Sequence, residues 1–154
     1  MPSKTEDRLK ELGLTLPETP APVANYVPFA VSGSTVYVSG QVSRDDSGPI
    51  TGKLGGGVSI EAGAAAARTC ALGLIAQVKA ACGGDLDRVT RVVKLTGFVN
   101  SAPDFTDQPK VVNGASDLMV EVFGDRGRHA RSAVGVAALP FGVAVEVEGV
   151  FEIT

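Results

Sequence analysis

The chain reads as an α+β protein, and three features of its sequence point there. Val27–Val31, Val36–Ser39 and Val89–Asn100 are short stretches rich in Val, Thr and Tyr, the composition of strands. Ile60–Ala81 and Lys110–Phe123 are long enough, and Ala- and Leu-rich enough, to be helices. The last quarter alternates apolar and polar residues on both sides of Leu139-Pro-Phe-Gly142. The resulting order is strand–strand–helix–strand–helix–strand–strand. At 154 residues, this is most simply one domain spanning 1–154, with residues 1–22 as an N-terminal extension.

The extension comes first. Ser3-x-x-Glu6 has capping-box spacing, and Gly13 stands where a left-handed residue ends a helix, so Ser3–Leu12 is expected to be helical. Leu16-Pro-Glu-Thr-Pro-Ala-Pro22 follows as an extended connector, because each proline fixes φ and removes a donor. Ser32-Gly33-Ser34 turns the first strand into the second. Residues 42–59 read as loop, through Asp45-Asp-Ser-Gly-Pro49 and Gly55-Gly-Gly57. Gly83-Gly84 ends the first long helix, Pro109 suits a first helical position, and Gly124 stops the second helix.

The last two strands are expected to form a hairpin in which Ala138 faces Val143. Directly opposed residues project to one side of a sheet. In this register the valines share one side, while Arg131, Gly135, Glu146 and Glu148 share the other. Stepping by two from Arg131 gives Ala133, Gly135 and Ala137, a small-residue floor that leaves room for an anion above the guanidinium. The plainer reading is a strand-edge arginine in a surface ion pair with Glu148, diagonally opposite, which contributes little.

Composition sets further bounds. A net charge of −3 and a pI near 5.1, with scattered basic residues, argue against a nucleic-acid partner. No apolar run reaches the roughly 18 residues that cross a bilayer, and the charged stretch Thr5–Glu11 is not a secretory signal. Cys70 and Cys82, twelve residues apart in one helix, would lie about 18 Å from each other, beyond disulfide reach. A reduced, cytoplasmic protein is expected. A hydrophobic fraction of 44% without a membrane span favours an oligomer that covers part of the surface.

Most catalytic classes find no residues here. His129 is the sole histidine; with Ser132 three residues on and no Gly-x-Ser-x-Gly elbow, it reads as a surface loop residue that helps position Arg131. No cluster of Cys, His or carboxylates has metal-ligand spacing, so no metal is expected. Thr51-Gly-Lys-Leu54 lacks the hydroxyl residue of a phosphate loop, and Gly55–Gly57 reads as a mobile loop.

Several segments together resemble the RidA/YjgF family of enamine and imine deaminases. They are Asn25-Tyr-Val-Pro28, Val36-Tyr-Val-Ser-Gly-Gln41, Ala130-Arg-Ser-Ala-Val134, Leu139-Pro140 and Val145-Glu-Val-Glu-Gly-Val150. The resemblance runs from Val23 to Ile153. It implies a chorismate-mutase-like fold, a mixed sheet with two long helices on one face, in a homotrimer whose sheets build a barrel with clefts between subunits. It implies that Arg131 holds the carboxylate of a small 2-imino or 2-enamino acid and that Glu146 orients or activates water. Tyr26, Ser39, Gly40 and Asn113 would line the cleft. Ala133 lines it where the family often has Cys. The implied product is a 2-oxo acid with ammonia, and the hydrolysis requires no cofactor. A non-catalytic, chaperone-like metabolite binder would use the same cleft; the family's ribonuclease or translation-inhibitor role is disfavoured by the acidic pI. The expected hairpin puts Glu146 opposite Gly135, four residues or about 13 Å from Arg131. A shared cleft then needs a ligand that spans the gap, a neighbouring subunit, or another register.

Overall fold

The computed structural model describes residues 3–19 and 24–154, so the end of the Pro-rich connector, residues 20–22, lies outside the described residues. Five strands form one sheet: β1 (Phe29–Ser32), β2 (Thr35–Val42), β3 (Val89–Asn100), β4 (Ala130–Val136) and β5 (Val145–Ile153). Their order is β1-β2-β5-β3-β4, with β4 parallel to β3 and every other pair antiparallel. Three helices accompany it: α1 (Lys4–Glu11), α2 (Ile60–Ala81) and α3 (Gln108–Phe123). The α+β class and the order of elements are as the sequence predicts.

The C-terminal hairpin is not formed. β3 lies between β4 and β5, and Phe98 pairs with Val134 on one side and Glu146 on the other. The reason is burial: Val89, Val92, Leu95 and Val99 of β3 are all fully buried, and only a central strand satisfies them. The turn Pro140–Gly142, with Phe141 and Gly142 at φ 60° and 69°, therefore begins a crossing past the end of β3 rather than a reversal between neighbours.

α2 lies across β2 and β5, and α3 across β3 and β4. The covered face is read from the register: Leu95, Gly97 and Val99 of β3 point with Val145, Val147 and Gly149 of β5 toward the helices. Glycine lets these layers close. A Cβ on Gly97 would come within 2.5 Å of Val112 on α3, and one on Gly114 would run into the Ala64 carbonyl of α2. The opposite face is open, and Tyr37 and Val134 are 52% and 43% exposed there.

α1 is built as expected. Ser3 Oγ accepts from the Glu6 N–H at 3.2 Å, and the Leu14 N–H reaches back to the Leu9 carbonyl around Gly13 at φ 68°. Its N-terminus has a second cap. Asp87, in the turn before β3, accepts from the backbone N–H of Lys4 and of Thr5, both at 2.9 Å, and from the Thr5 hydroxyl at 2.7 Å.

The segment 48–57, expected to be loop, is stitched down. Lys53 Nζ donates to Asn100 Oδ1 at 2.7 Å and to the Ala137 carbonyl at 2.5 Å, Leu54 is fully buried, and the Ala102 N–H donates to the Leu54 carbonyl.

Candidate functional site

Arg131 points toward α3. It pairs with Leu95, which places its side chain on the covered face at the edge of the sheet. Nη1 donates to Asn113 Oδ1 at 2.8 Å and to Ser116 Oγ at 3.1 Å, and Nη2 donates to the Pro109 carbonyl at 3.4 Å. Spacings of four and three put residues 109, 113 and 116 on one stripe of the helix. That spacing is a sequence signal from which Ser116 could have been found beside Asn113. His129 completes the group, with Nδ1 2.6 Å from the Gly127 carbonyl and Nε2 2.9 Å from Ser116 Oγ.

The small-residue floor is only partly open. Ala133 is half-buried beside Arg131, but Gly135 is roofed by Gln108 and Ser101, and a Cβ there would meet Gln108 Nε2 at 2.6 Å. Ala133 itself packs against the core, so the small residues do not leave an open floor along the whole strand. Among the described residues Arg131 makes no ion pair, so the surface-pair reading with Glu148 fails. Glu148 faces the other way, beside Thr96.

Glu146 also faces the other way, which corrects the expectation that it shares a side with Arg131. It lies between Val42 of β2 and Phe98 of β3, on the open face. Its carboxylate rests on Gly40, where any Cβ would collide with Oε2. Gly40 and Ser39 occupy the register shift in β2 between Val38 and Gln41, a bulge that bends the strand around the carboxylate. Ser39 is tied to the Pro28 carbonyl through its backbone N–H at 2.9 Å and its hydroxyl at 3.1 Å. Tyr26, two residues before Pro28, is 61% exposed at this end of the sheet. Burial, and then the charge of Glu148, push the Glu146 carboxyl above its usual 4.5. Behind it, burial and then Glu146 push the Cys70 thiol far up, so that thiol is inert.

The predicted residues thus fall into two half-sites. Arg131, Asn113 and Ala133 stand with Ser116 between α3 and β4; Glu146, Gly40 and Ser39 stand on the open face, with Tyr26 at the adjoining end. Among the described residues no group of three potential metal ligands occurs, and no helix is long and apolar enough to cross a membrane.

Comparison with known proteins agrees with this architecture. The family described as "YjgF/chorismate mutase-like, putative endoribonuclease" matches residues 6–149. A Trypanosoma cruzi protein named TCP17 is 55% identical over 147 residues, covering 94% of this chain and 91% of that one. A rat 2-iminobutanoate/2-iminopropanoate deaminase is 31% identical over 134 residues, covering 86% and 83%. The crystal structure of Atu1372, a protein of unknown function from Agrobacterium tumefaciens, superposes with a TM-score of 0.90 at 50% identity, covering 97% and 94%. The chain belongs to the YjgF/RidA family.

Proposed function

We propose that this protein binds small carboxylates at Arg131 and hydrolyses 2-imino or 2-enamino acids to 2-oxo acids and ammonia, in a cleft between copies of a homotrimer. The observation that carries this reading is the state of the Arg131 guanidinium. Of its five N–H groups, two on Nη1 and one on Nη2 are held by α3. Among the described residues the Nε–H and a second Nη2–H meet no acceptor, and two such groups can grip a carboxylate with two parallel hydrogen bonds. The relative named a 2-iminobutanoate/2-iminopropanoate deaminase supports the choice of substrate class.

The chemistry asks little more. Water adds to C2 of the imine as Glu146 takes one of its protons and the nitrogen gains one, giving a carbinolamine. The nitrogen then takes up a second proton and leaves as ammonia while the hydroxyl gives up its proton, the C2–N bond breaks and the carbonyl forms. An enamine first takes a proton at C3. Carbon keeps its oxidation level, so no redox partner enters. A carboxyl raised toward neutrality suits both removing and returning a proton. Because Glu146 and Arg131 face opposite ways in one chain, a second copy completes the cleft, and the exposed Tyr37 and Val134 mark the face such a copy would cover.

Freshly generated 2-iminobutyrate or 2-aminoacrylate tests the proposal through release of 2-oxo acid and ammonia. Turnover that Arg131→Ala abolishes supports it. A 2-oxo acid that raises Tm through Arg131 without any turnover would mark a binding protein instead. Binding of RNA that weakens with salt would favour the nucleic-acid role.

A further inference from the structure

His129 links a fixed backbone carbonyl to the guanidinium. A carbonyl only accepts, so the 2.6 Å contact with Gly127 places the hydrogen on Nδ1. Nε2 of the neutral ring then accepts from the Ser116 hydroxyl at 2.9 Å. With its proton committed to His129, Ser116 Oγ turns a lone pair to Arg131 Nη1 at 3.1 Å. The hydroxyl rotor, free in most serines, is directed here to His129, which leaves the oxygen lone pairs to Arg131.

We infer that His129, acting through the Ser116 hydroxyl, is a positioning residue that fixes the carboxylate-binding edge of Arg131 and makes that binding pH-dependent. The inference rests on the carboxylate site proposed above. Protonation places a hydrogen on Nε2, which then donates to Ser116, so a second cation stands one hydroxyl away from the guanidinium. Burial holds the His129 pKa below 6.5; the Gly127 carbonyl favours the charged ring, and the Arg131 charge opposes it. A carboxylate bound to Arg131 cancels that repulsion, so the complex takes up a proton more readily. By linkage, affinity rises as pH falls through the titration range of His129.

The other charged groups nearby are turned elsewhere. Lys94, beside Ala130, points to the open face. Arg126 donates to the Val89 carbonyl and the Thr5 hydroxyl, Arg128 pairs with Asp125, Lys110 pairs with Asp107, and Glu121 pairs with Arg68. Asp117, next to Ser116, is exposed and roughly 100° further round α3. Arg131 is thus the charge that His129 senses.

Calorimetry with 2-oxobutyrate as the probe, across mildly acidic to neutral pH, tests this on the full chain. Ser116→Ala and His129→Ala should each weaken binding about three- to tenfold, and the double variant no more than either one, because both cut the same link. Wild-type affinity should rise toward acid, and His129→Gln, which restores a donor and an acceptor, should recover affinity but not that slope. Additive losses, or a slope that His129→Gln leaves unchanged in chains carrying Glu146→Gln, overturn the inference. If the wild type binds no carboxylate, the function proposed above falls, and NMR still tests the coupling. With one histidine in the chain, one imidazole signal titrates. Arg131→Met should raise its midpoint, and an unmoved midpoint overturns the link.

Discussion

Arg131 and Glu146 stand on opposite faces of one sheet with β3 between them: Arg131 aligns with Leu95 on the helix side, and Glu146 aligns with Phe98 on the open side. One chain therefore presents a guanidinium in one direction and a carboxylate in the other. If a single cleft uses both, they come from different copies. Refolding an equimolar mixture of Arg131→Ala and Glu146→Gln chains should then restore activity that neither variant shows alone. Random assortment gives native pairs at about a quarter of the sites. A mixture as inactive as its components would rule the shared cleft out.

Gly40→Ala tests the seat under Glu146. The added methyl would occupy the space of the carboxylate, so Glu146 must move while Arg131, on the other face, stays. A displacement of about 1 Å is enough to lower turnover by roughly 100-fold. The Kd for 2-oxobutyrate should hold while kcat falls; parallel losses in both would show that Gly40 acts through the fold.

Glu146→Gln should raise stability at neutral pH. Burial, and then Glu148, lift the folded pKa above 4.5, so the folded state holds the proton more tightly than the unfolded chain. The ionised carboxylate therefore costs stability above the folded pKa, and that cost vanishes below the unfolded value. Tm measured against pH should show the variant above the wild type at neutral pH, with the two curves converging in acid. A lower Tm at neutral pH would contradict the desolvation account.

Asp87→Ala should loosen the N-terminal helix. The Thr5 hydroxyl, with help from the backbone N–H groups of Thr5 and Lys4, holds the Asp87 carboxyl well below its usual 3.8. A depressed carboxylate stabilises the fold above the unfolded pKa, and that contribution is lost as pH falls. Removing the cap should cost about 1 kcal/mol, roughly 2–4 °C in a chain of this length. Amide exchange should show the loss confined to α1, and a variant that exchanges like the wild type there would refute the capping role.

What the sequence showed, and what it hid, divides by range. The helices were legible because Ser3, Gly13, Gly83 and Gly124 mark their ends locally. Arg131 stood out because it alternates with small residues, yet its contacts with Asn113 and Ser116 were not legible from β4 alone. The partner of β4 was not, since two alternating strands around Pro140 and Gly142 look the same whether they touch or flank a third. That choice was made by β3, forty residues upstream, whose buried valines require a strand on each side. The same error put Glu146 on the wrong face, because exchanging a neighbour changes which residues stand opposite one another. The spacing of Pro109, Asn113 and Ser116 was present in the sequence, but only a parallel β4 beneath α3 gives it meaning.

The crossover from β3 through α3 to β4 sets how far along the chain the surroundings of Arg131 and of Glu146 are gathered. Residues 89–136 bring Leu95, Asn113, Ser116, His129 and Arg131 together within one contiguous βαβ passage. That passage is contiguous in the chain and ends before the last strand begins. Glu146 meets Gly40 only when the end of the chain returns to its beginning. The surroundings of Arg131 are thus local in the chain, while those of Glu146 are made by its two distant ends.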